Sequence, residues 1–367
     1  MAPAGPEDQP LLYPGGVILP PPGELLARLV AIPSVSGDEA RIASEVESLL
    51  AAAGVRPIRS GNNVWATRGA GPPTLLLNSH LDTVPPAPGW EGDPFAPRLE
   101  GGHLIGLGAH DAKGSIAAML TAFLAIDEAG LAGGRLLLAA TCQEETGGQG
   151  LEVLIHELPR LDAGVVGEPT GLVPASCQRG FLRLRMRARG MAAHASRPHQ
   201  GDNAIHKAAR AIGALQSIDL GPEHPLLGAA TAQATLVQGG TAANVLPAEC
   251  VATVDARTTP LVPNETLLDR IRAVPEVEWE VLSNRFRPVE TDVTERVVRA
   301  ALAASGAPRP VGFRGLSDRF WLGSTPAVVL GPGDGTWSHK AGERLPLPEL
   351  ERAVCVYLDL ARGYFAG

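Results

Sequence analysis

The sequence predicts an α/β protein whose central, mostly parallel sheet is flanked by helices and interrupted by a smaller inserted α+β domain. Three observations predict it. Short, almost wholly apolar runs near residues 74–78, 136–142, 162–167 and 327–330 read as strands buried on both faces, as parallel sheets require. Stretches near 40–53 and 115–129 carry apolar residues at helical spacing or are apolar all round. From about residue 178 the style changes: Leu182, Leu184, Met186 and Ala188 alternate with Arg183, Arg185 and Arg187, which marks a strand with one wet face.

Taken in order, residues 24–30 read as a short amphipathic helix. Ser36, Gly37, Asp38 and Glu39 open a longer one reaching about Ala53, with Ile42, Val46, Leu49 and Leu50 on one face and Gly54 as its stop. Strands are expected near 64–67 and 74–78. The second delivers Ser79, His80, Leu81 and Asp82 to its carboxyl end, the edge where open α/β sheets place their sites. A loop rich in Pro and Gly (85–97) precedes the turn 108–114 and the apolar helix 115–129. The run 136–142 ends in Gln143, Glu144, Glu145 and Thr146, and a helix follows near 151–156. The strand 162–167 ends in Glu168, Pro169 and Thr170. Within the insertion, strands are expected at 181–188, 230–237, 249–257 and 277–282, with helices at 203–218 and 265–273. A helix at 291–304, the buried strand 327–330 and a closing helix at 346–360 return to the first style. The expected division is a flexible Pro-rich tail over 1–22, a main domain over 23–177 and 290–367, and an insertion over 178–289.

Composition excludes several function classes. A chain of 367 residues is long for one core and favours two domains. No apolar run reaches the ~20 residues of a membrane span. A formal net charge of −8, with Lys and Arg scattered, argues against a nucleic-acid partner. The N-terminal segment lacks a basic stretch followed by an apolar one, so it reads as a tail and not a signal peptide. Cys142, Cys177, Cys250 and Cys355 lie far apart with no C-x-x-C pair, which is expected of free thiols in a cytoplasmic protein.

The chemistry sits at the strand ends. His80 and Asp82 end one strand, Glu144 and Glu145 another, and Glu168 a third. Asp111 precedes a helix, where it would also serve as an N-cap, and His339 follows the 327–330 strand through a Gly-rich loop. Two His and three or four carboxylates form a mixed N/O donor set suited to zinc or a similar divalent ion. They are too many for one tetrahedral site; two ions roughly 3.5–4 Å apart that share a carboxylate would use them all. Adjacent Glu144 and Glu145 project differently along extended chain, so one can bind metal while the other moves a proton. Asp82 can accept from the ring N–H of His80 and fix its tautomer.

These residues carry a resemblance. Ser79-His80-Leu81-Asp82-Thr83-Val84-Pro85, Gly108-Ala109-His110-Asp111-Ala112-Lys113-Gly114, Glu144-Glu145-Thr146-Gly147, Gly167-Glu168-Pro169-Thr170 and the late His339 resemble the acetylornithine deacetylase / succinyl-diaminopimelate desuccinylase / carboxypeptidase / aminoacylase family of dinuclear zinc hydrolases. The resemblance runs from about residue 24 to the C-terminus. It implies two Zn2+ ions, with Co2+ able to substitute: His80 and Glu168 on one, Glu145 and His339 on the other, and Asp111 bridging. Glu144 would be the general base, and Asp82 would orient His80. The insertion would be a lid and dimerisation domain. Its segment from Arg189 through His194 to Ala204 resembles the family's lid motif, which implies that His194 stabilises the oxyanion across a homodimer interface. Asn244 and Arg257 fall in segments that resemble those binding the substrate carboxylate. Arg257 can grip such a group bidentately, or can pair with Asp255. Leu107, His110 and Ala195 depart from the family pattern without removing a ligand.

The expected reaction is hydrolysis of the amide of a small N-acyl amino acid. Asp334 and Asp318 could meet a basic side chain, which puts N-acetylornithine or a citrulline or lysine relative first; a helix cap explains Asp318 equally. Succinyl-diaminopimelate desuccinylase and a dipeptidase or carboxypeptidase are the alternatives. A non-catalytic metal-binding scaffold is the reading from a different class.

Overall fold

The structure, a computed structural model, describes residues 12–13, 17–18 and 20–367. Most of the expected tail over 1–22 lies outside the described residues; within it, Leu12–Tyr13 pairs antiparallel with Val17–Ile18. The chain forms two compact units. The first runs through Ser176 and takes in Thr291–Val311 and Ser317–Gly367. The second is Cys177–Glu290 with Gly312–Leu316.

The first unit is built on a mixed sheet. Ala327–Val329, Ala163–Val166, Thr74–His80 and Arg135–Thr141 lie side by side, all parallel. Asn63–Gly69 and then Ile58–Ser60 continue the sheet antiparallel on one side. The apolar runs form this centre because both faces are covered. In Thr74–His80 every residue is buried. Leu75 and Leu77 enter the larger core, while Leu76 faces the opposite way into a second cluster with Leu137, Leu151 and Leu154. The helix Lys113–Ala125 is apolar all round, and it packs against Pro22–Val30, Leu347–Ala366 and the sheet.

Several helix ends differ from expectation; the helix expected from 291 begins at Arg296, and the one expected to reach 218 ends at Leu215. The helix expected to reach 129 stops at Ala125, because Ile126 turns extended and Asp127 caps a new short helix, Glu128–Leu131, by accepting the Gly130 N–H. The closing helix runs to Ala366, past the expected 360, because Ala361, Tyr364 and Phe365 continue its buried stripe.

The second unit is a four-stranded antiparallel sheet in the order Thr231–Gly239, Glu249–Thr258, Gly180–Arg189, Glu278–Ser283. The alternation seen in the sequence divides its faces. Leu182, Leu184 and Met186 are buried with Ala208, Ala211 and Leu267 of the helices Ala204–Leu215 and Asn264–Arg272. The arginines between them point outward and pair with glutamates of neighbouring strands: Arg185 with Glu280, Arg187 with Glu249, Arg189 with Glu278.

Truncating Leu77, which is fully buried, tests the two-sided packing of the central strand. Leu77→Ala is expected to lower stability by roughly 2–5 kcal/mol. Urea unfolding with an unchanged slope would read it, and a loss below about 1 kcal/mol would show that the strand is not packed as described.

Candidate metal centre

Parallel strands share a carboxyl edge, and their register sets which residues meet there. His80 lies opposite Thr141, and Asn78 opposite Val166. The chain leaves the ladder just beyond these pairs, so Asp82, Glu144, Glu145 and Glu168 enter the same space. Asp111 comes from the turn before Lys113–Ala125. His339 comes from the loop after Ala327–Val329.

Two triads result. His80, Asp111 and Glu168 present ligand atoms that all lie within 4.8 Å of one another, and so do Asp111, Glu145 and His339. Asp111 belongs to both. Its Oδ1 is 3.3 Å from His80 Nε2 and its Oδ2 is 3.6 Å from His339 Nε2. His80 Nε2 is 3.9 Å from Glu168, and His339 Nε2 is 2.9 Å from Glu145. Glu144 stands beside the triads and belongs to neither.

The electrostatics fit a site built for cations. Burial pushes Glu168 and Glu144 well above the usual carboxyl range; neighbouring carboxylates add to the shift and His80 opposes it. Burial also works against ionising Asp111 and Asp82, but hydrogen bonds to His80 and its charge outweigh it, so both are held low. His80 is raised well above its ordinary value: burial opposes the charged ring, and Asp111 and Asp82 more than offset that. The hydrogen bond to Glu145 lifts His339 to about 8. Protons on two imidazoles thus balance a group of buried anions. A divalent ion in each triad would take over that task, with neutral His nitrogens and ionised carboxylates as its donors.

Asp82 does more than the sequence implied. His80 Nδ1 lies 3.0 Å from the Asp82 carbonyl oxygen and 3.5 Å from its carboxylate. The carboxylate oxygens accept the backbone N–H groups of Glu144 (3.0 Å) and Glu145 (3.1 Å), and the Ser36 hydroxyl (2.6 Å). Glu39 accepts the Gln143 N–H at 3.2 Å and Asn63 the Cys142 N–H at 3.0 Å. Four consecutive amides, 142–145, are therefore held by side-chain oxygens. Gln143 and His339 adopt φ +56 and +62, the left-handed region that costs a non-glycine residue of order 1–3 kcal/mol. Sequence reading took Ser36 and Glu39 for a helix start and missed this role. It also missed Glu343, whose buried carboxylate accepts the N–H groups of His110 (2.9 Å) and Asp111 (3.0 Å). No motif signalled it.

Asp318 is 1% exposed and accepts the Thr141 hydroxyl at 2.9 Å, and the cap of its short helix is Ser317, whose side chain accepts the Arg319 N–H. Asp334 is exposed and accepts the Thr336 N–H.

In the second unit, His194 is exposed. The Ser196 N–H donates to His194 Nδ1 at 3.1 Å and the Ser196 hydroxyl lies 2.8 Å from it, so the neutral ring carries its proton on Nε2. Ser196 thus supplies the hydroxyl that Ala195 lacks. Ala195 N–H donates to Asn244 O, which brings the His194 and Asn244 segments together. Arg257 takes the partner that the sequence left open: its Nε lies 2.8 Å from Asp255, and its guanidinium also covers the Phe181 ring. Cys177, His224 and Glu290 cluster too. However, His224 Nδ1 accepts backbone N–H groups and Nε2 faces Glu290, which leaves no lone pair for a metal.

Removing metal should leave a pH signature. Glu144 and Glu168 prefer the protonated form in the folded state, so the metal-free fold loses stability as pH rises from about 4.5. Asp318 and Glu343, each pushed by burial to about 7, add to that loss up to neutrality. Asp82 and Asp111, held low, contribute stability lost only as pH falls below 3.8. Chelator-treated protein should therefore show a lower urea midpoint at pH 8 than at pH 5, and Zn2+ should raise the midpoint more at pH 8. An equal or larger rise at pH 5 would count against the assignment.

Comparison with known proteins bears on the family and the fold. The model of Peptidase family M20/M25/M40 matches residues 76–363. A succinyl-diaminopimelate desuccinylase of Bordetella pertussis is 32% identical over 91% of this chain and 95% of its own length. A tripeptidase structure from Staphylococcus aureus superposes with a TM-score of 0.80 at 24% identity, covering 94% of this chain and 98% of that one. A dinuclear metal-binding peptidase of Bacillus subtilis superposes at 0.72 and 17% identity, covering 92% and 96%. The expected α/β fold with its separate antiparallel unit and the expected family both hold: the chain belongs to peptidase family M20/M25/M40 and is a metal-dependent amide hydrolase.

Proposed function

We propose that the protein hydrolyses the amide bond of an N-succinyl diamino acid of the succinyl-diaminopimelate type. The N-acetylornithine preference yields to this alternative, because the relative with 32% identity along nearly its whole length is a desuccinylase.

The observation that carries the reaction class is Asp111 shared between two triads with Glu144 beside them. Two Zn2+ ions fit the mixed donor set, and Co2+ has the same ligand preferences. When bound, they would supply Lewis acidity and lower the pKa of a water towards ~7. His80, Asp111 and Glu168 would hold one ion; Asp111, Glu145 and His339 would hold the other. Glu144 takes the proton of the attacking water and returns it to the leaving amine as the C–N bond breaks. Asp82 keeps Glu144 and Glu145 in register through their amides. The Nε2–H of His194 from the partner protomer would donate to the developing oxyanion, and Asn244 and Arg257 would bind the substrate carboxylate.

A homodimer in which each protomer supplies His194 to the other follows from this reading. The edge strand Thr231–Gly239 supports it, since Leu236 is 63% and Val237 59% exposed on an edge open to further pairing. Three buried free cysteines fit a cytoplasmic setting, and among the described residues no helix is long and apolar enough to cross a membrane.

Amine release from N-succinyl-diaminopimelate and N-acetylornithine by the Zn2+-loaded protein tests the substrate. Higher kcat/KM on the succinyl compound is expected, and the reverse order would return the assignment to N-acetylornithine. Glu144→Gln should lower kcat by about 10²–10⁴ while two ions still bind; unchanged turnover would refute the base. Mixing Glu144→Gln with His194→Ala protein should recover up to about a quarter of wild-type activity, since half of randomly paired dimers carry one complete site. No recovery would place His194 in its own protomer's site.

A further inference from the structure

His110 stands among small residues directly before Asp111, and the mechanism above does not use it. Its ring is 2% exposed, yet both nitrogens are engaged. Nδ1 donates to the Arg344 carbonyl at 3.0 Å, and Nε2 accepts the Gly335 N–H at 2.9 Å. These contacts fix a neutral ring with its proton on Nδ1. The face of the ring lies against Gly333, where φ is +84 and an added Cβ would come within 2.5–2.7 Å of three ring atoms. The Gly333 N–H is held in turn by Glu349 at 2.9 Å.

One imidazole therefore joins the turn that carries Asp111 to both ends of the loop that carries His339. Gly335 precedes His339 and Arg344 follows it. The intervening residues hang from these two points: Lys340 Nζ donates to the Thr336 carbonyl, and the Trp337 ring lies under the Arg344 guanidinium at 4.2 Å. His339 itself is half exposed, holds a left-handed backbone conformation and meets Glu145 at 2.9 Å, and Glu343 of the same loop also accepts the His110 and Asp111 N–H groups. The separation of Asp111 and His339 depends on what ties their loops together.

We infer that His110 is a positioning residue that holds the His339 loop at the correct distance from Asp111, and so sets the cation affinity of the Asp111, Glu145 and His339 triad far more than that of the triad with His80 and Glu168, without touching the cation. The inference rests on the two-ion reading of the site. Outer groups that orient metal ligands typically change affinity by about 10–100-fold.

Stepwise Co2+ binding to the metal-free full-length protein, followed by calorimetry, tests it. His110→Asn keeps a donor near the Nδ1 position and loses the acceptor for Gly335. It should weaken one of two binding events by about 10–100-fold and leave the other within about threefold. His110→Gln returns an acceptor near the Nε2 position and should recover most of the loss. Gly333→Ala crowds the same ring from its face and should reproduce the selective weakening, which keeps the test valid if His110→Asn does not fold. Two events in the wild type that stay unchanged in the folded variants, or that weaken equally, would overturn the inference and leave the two-ion reading standing. A wild type that takes up one ion would overturn both.

Discussion

Carboxylates gathered at one sheet edge repel each other and resist burial, and the first unit is arranged around that cost. Two like charges 4 Å apart at an effective dielectric of 20 repel by about 4 kcal/mol. Asp111, the adjacent Glu144 and Glu145, and Glu168 enter one space from three different segments, with His80 and His339 as the balancing donors. No segment alone bears the repulsion, and none can relax without leaving the sheet edge that delivers it. The buried strands and the all-round apolar helix Lys113–Ala125 supply the hydrophobic stabilisation that holds the acidic group in place.

The adjacent pair Glu144 and Glu145 shows how the cost is divided. Glu145 points to His339 and Asp111 and has a cation site to neutralise it. Glu144 has none and is driven towards protonation, which is the property a proton shuttle needs near neutral pH. Two neighbours can differ this much only if the backbone between them is fixed. Asp82 fixes it by accepting both of their N–H groups, while Glu39 and Asn63 take the two amides before them. Acidic side chains behind the turn thus hold acidic side chains in front of it, through the backbone dipoles between.

The second unit follows a simpler logic. Its strands alternate cleanly, its helices cover one face, and its outward arginines are paired across strands. The His194 and Asn244 segments there are joined by the backbone hydrogen bond from Ala195 N–H to Asn244 O. Arg257 and Asp255 are two apart on one strand and share a face, which is why they meet.

Periodicity and strand-end chemistry made much of this legible in the sequence. Two-sided apolar runs determined the buried sheet, strict alternation determined the antiparallel unit, and the residues closing each run, His80, Asp82, Glu144, Glu145 and Glu168, are the ones the structure gathers. Local signals carry such information because they depend on side-chain direction along one element. Contacts between distant segments do not. Glu343 lies 232 residues from the Asp111 amide it accepts, and His110 grips a turn 225 residues away. Glu39 looked like a helix start, and Asp318 like a helix cap or a group for a basic side chain, until the fold buried it against Thr141. The sequence by itself determined the main elements and which residues reach the site edge, though not the small sheet of Arg98–Glu100, His103–Ile105 and Arg344–Pro346. Only the tertiary structure decided which carboxylates accept backbone amides, which partner Arg257 takes and what His110 does, because those depend on how separate loops pack together.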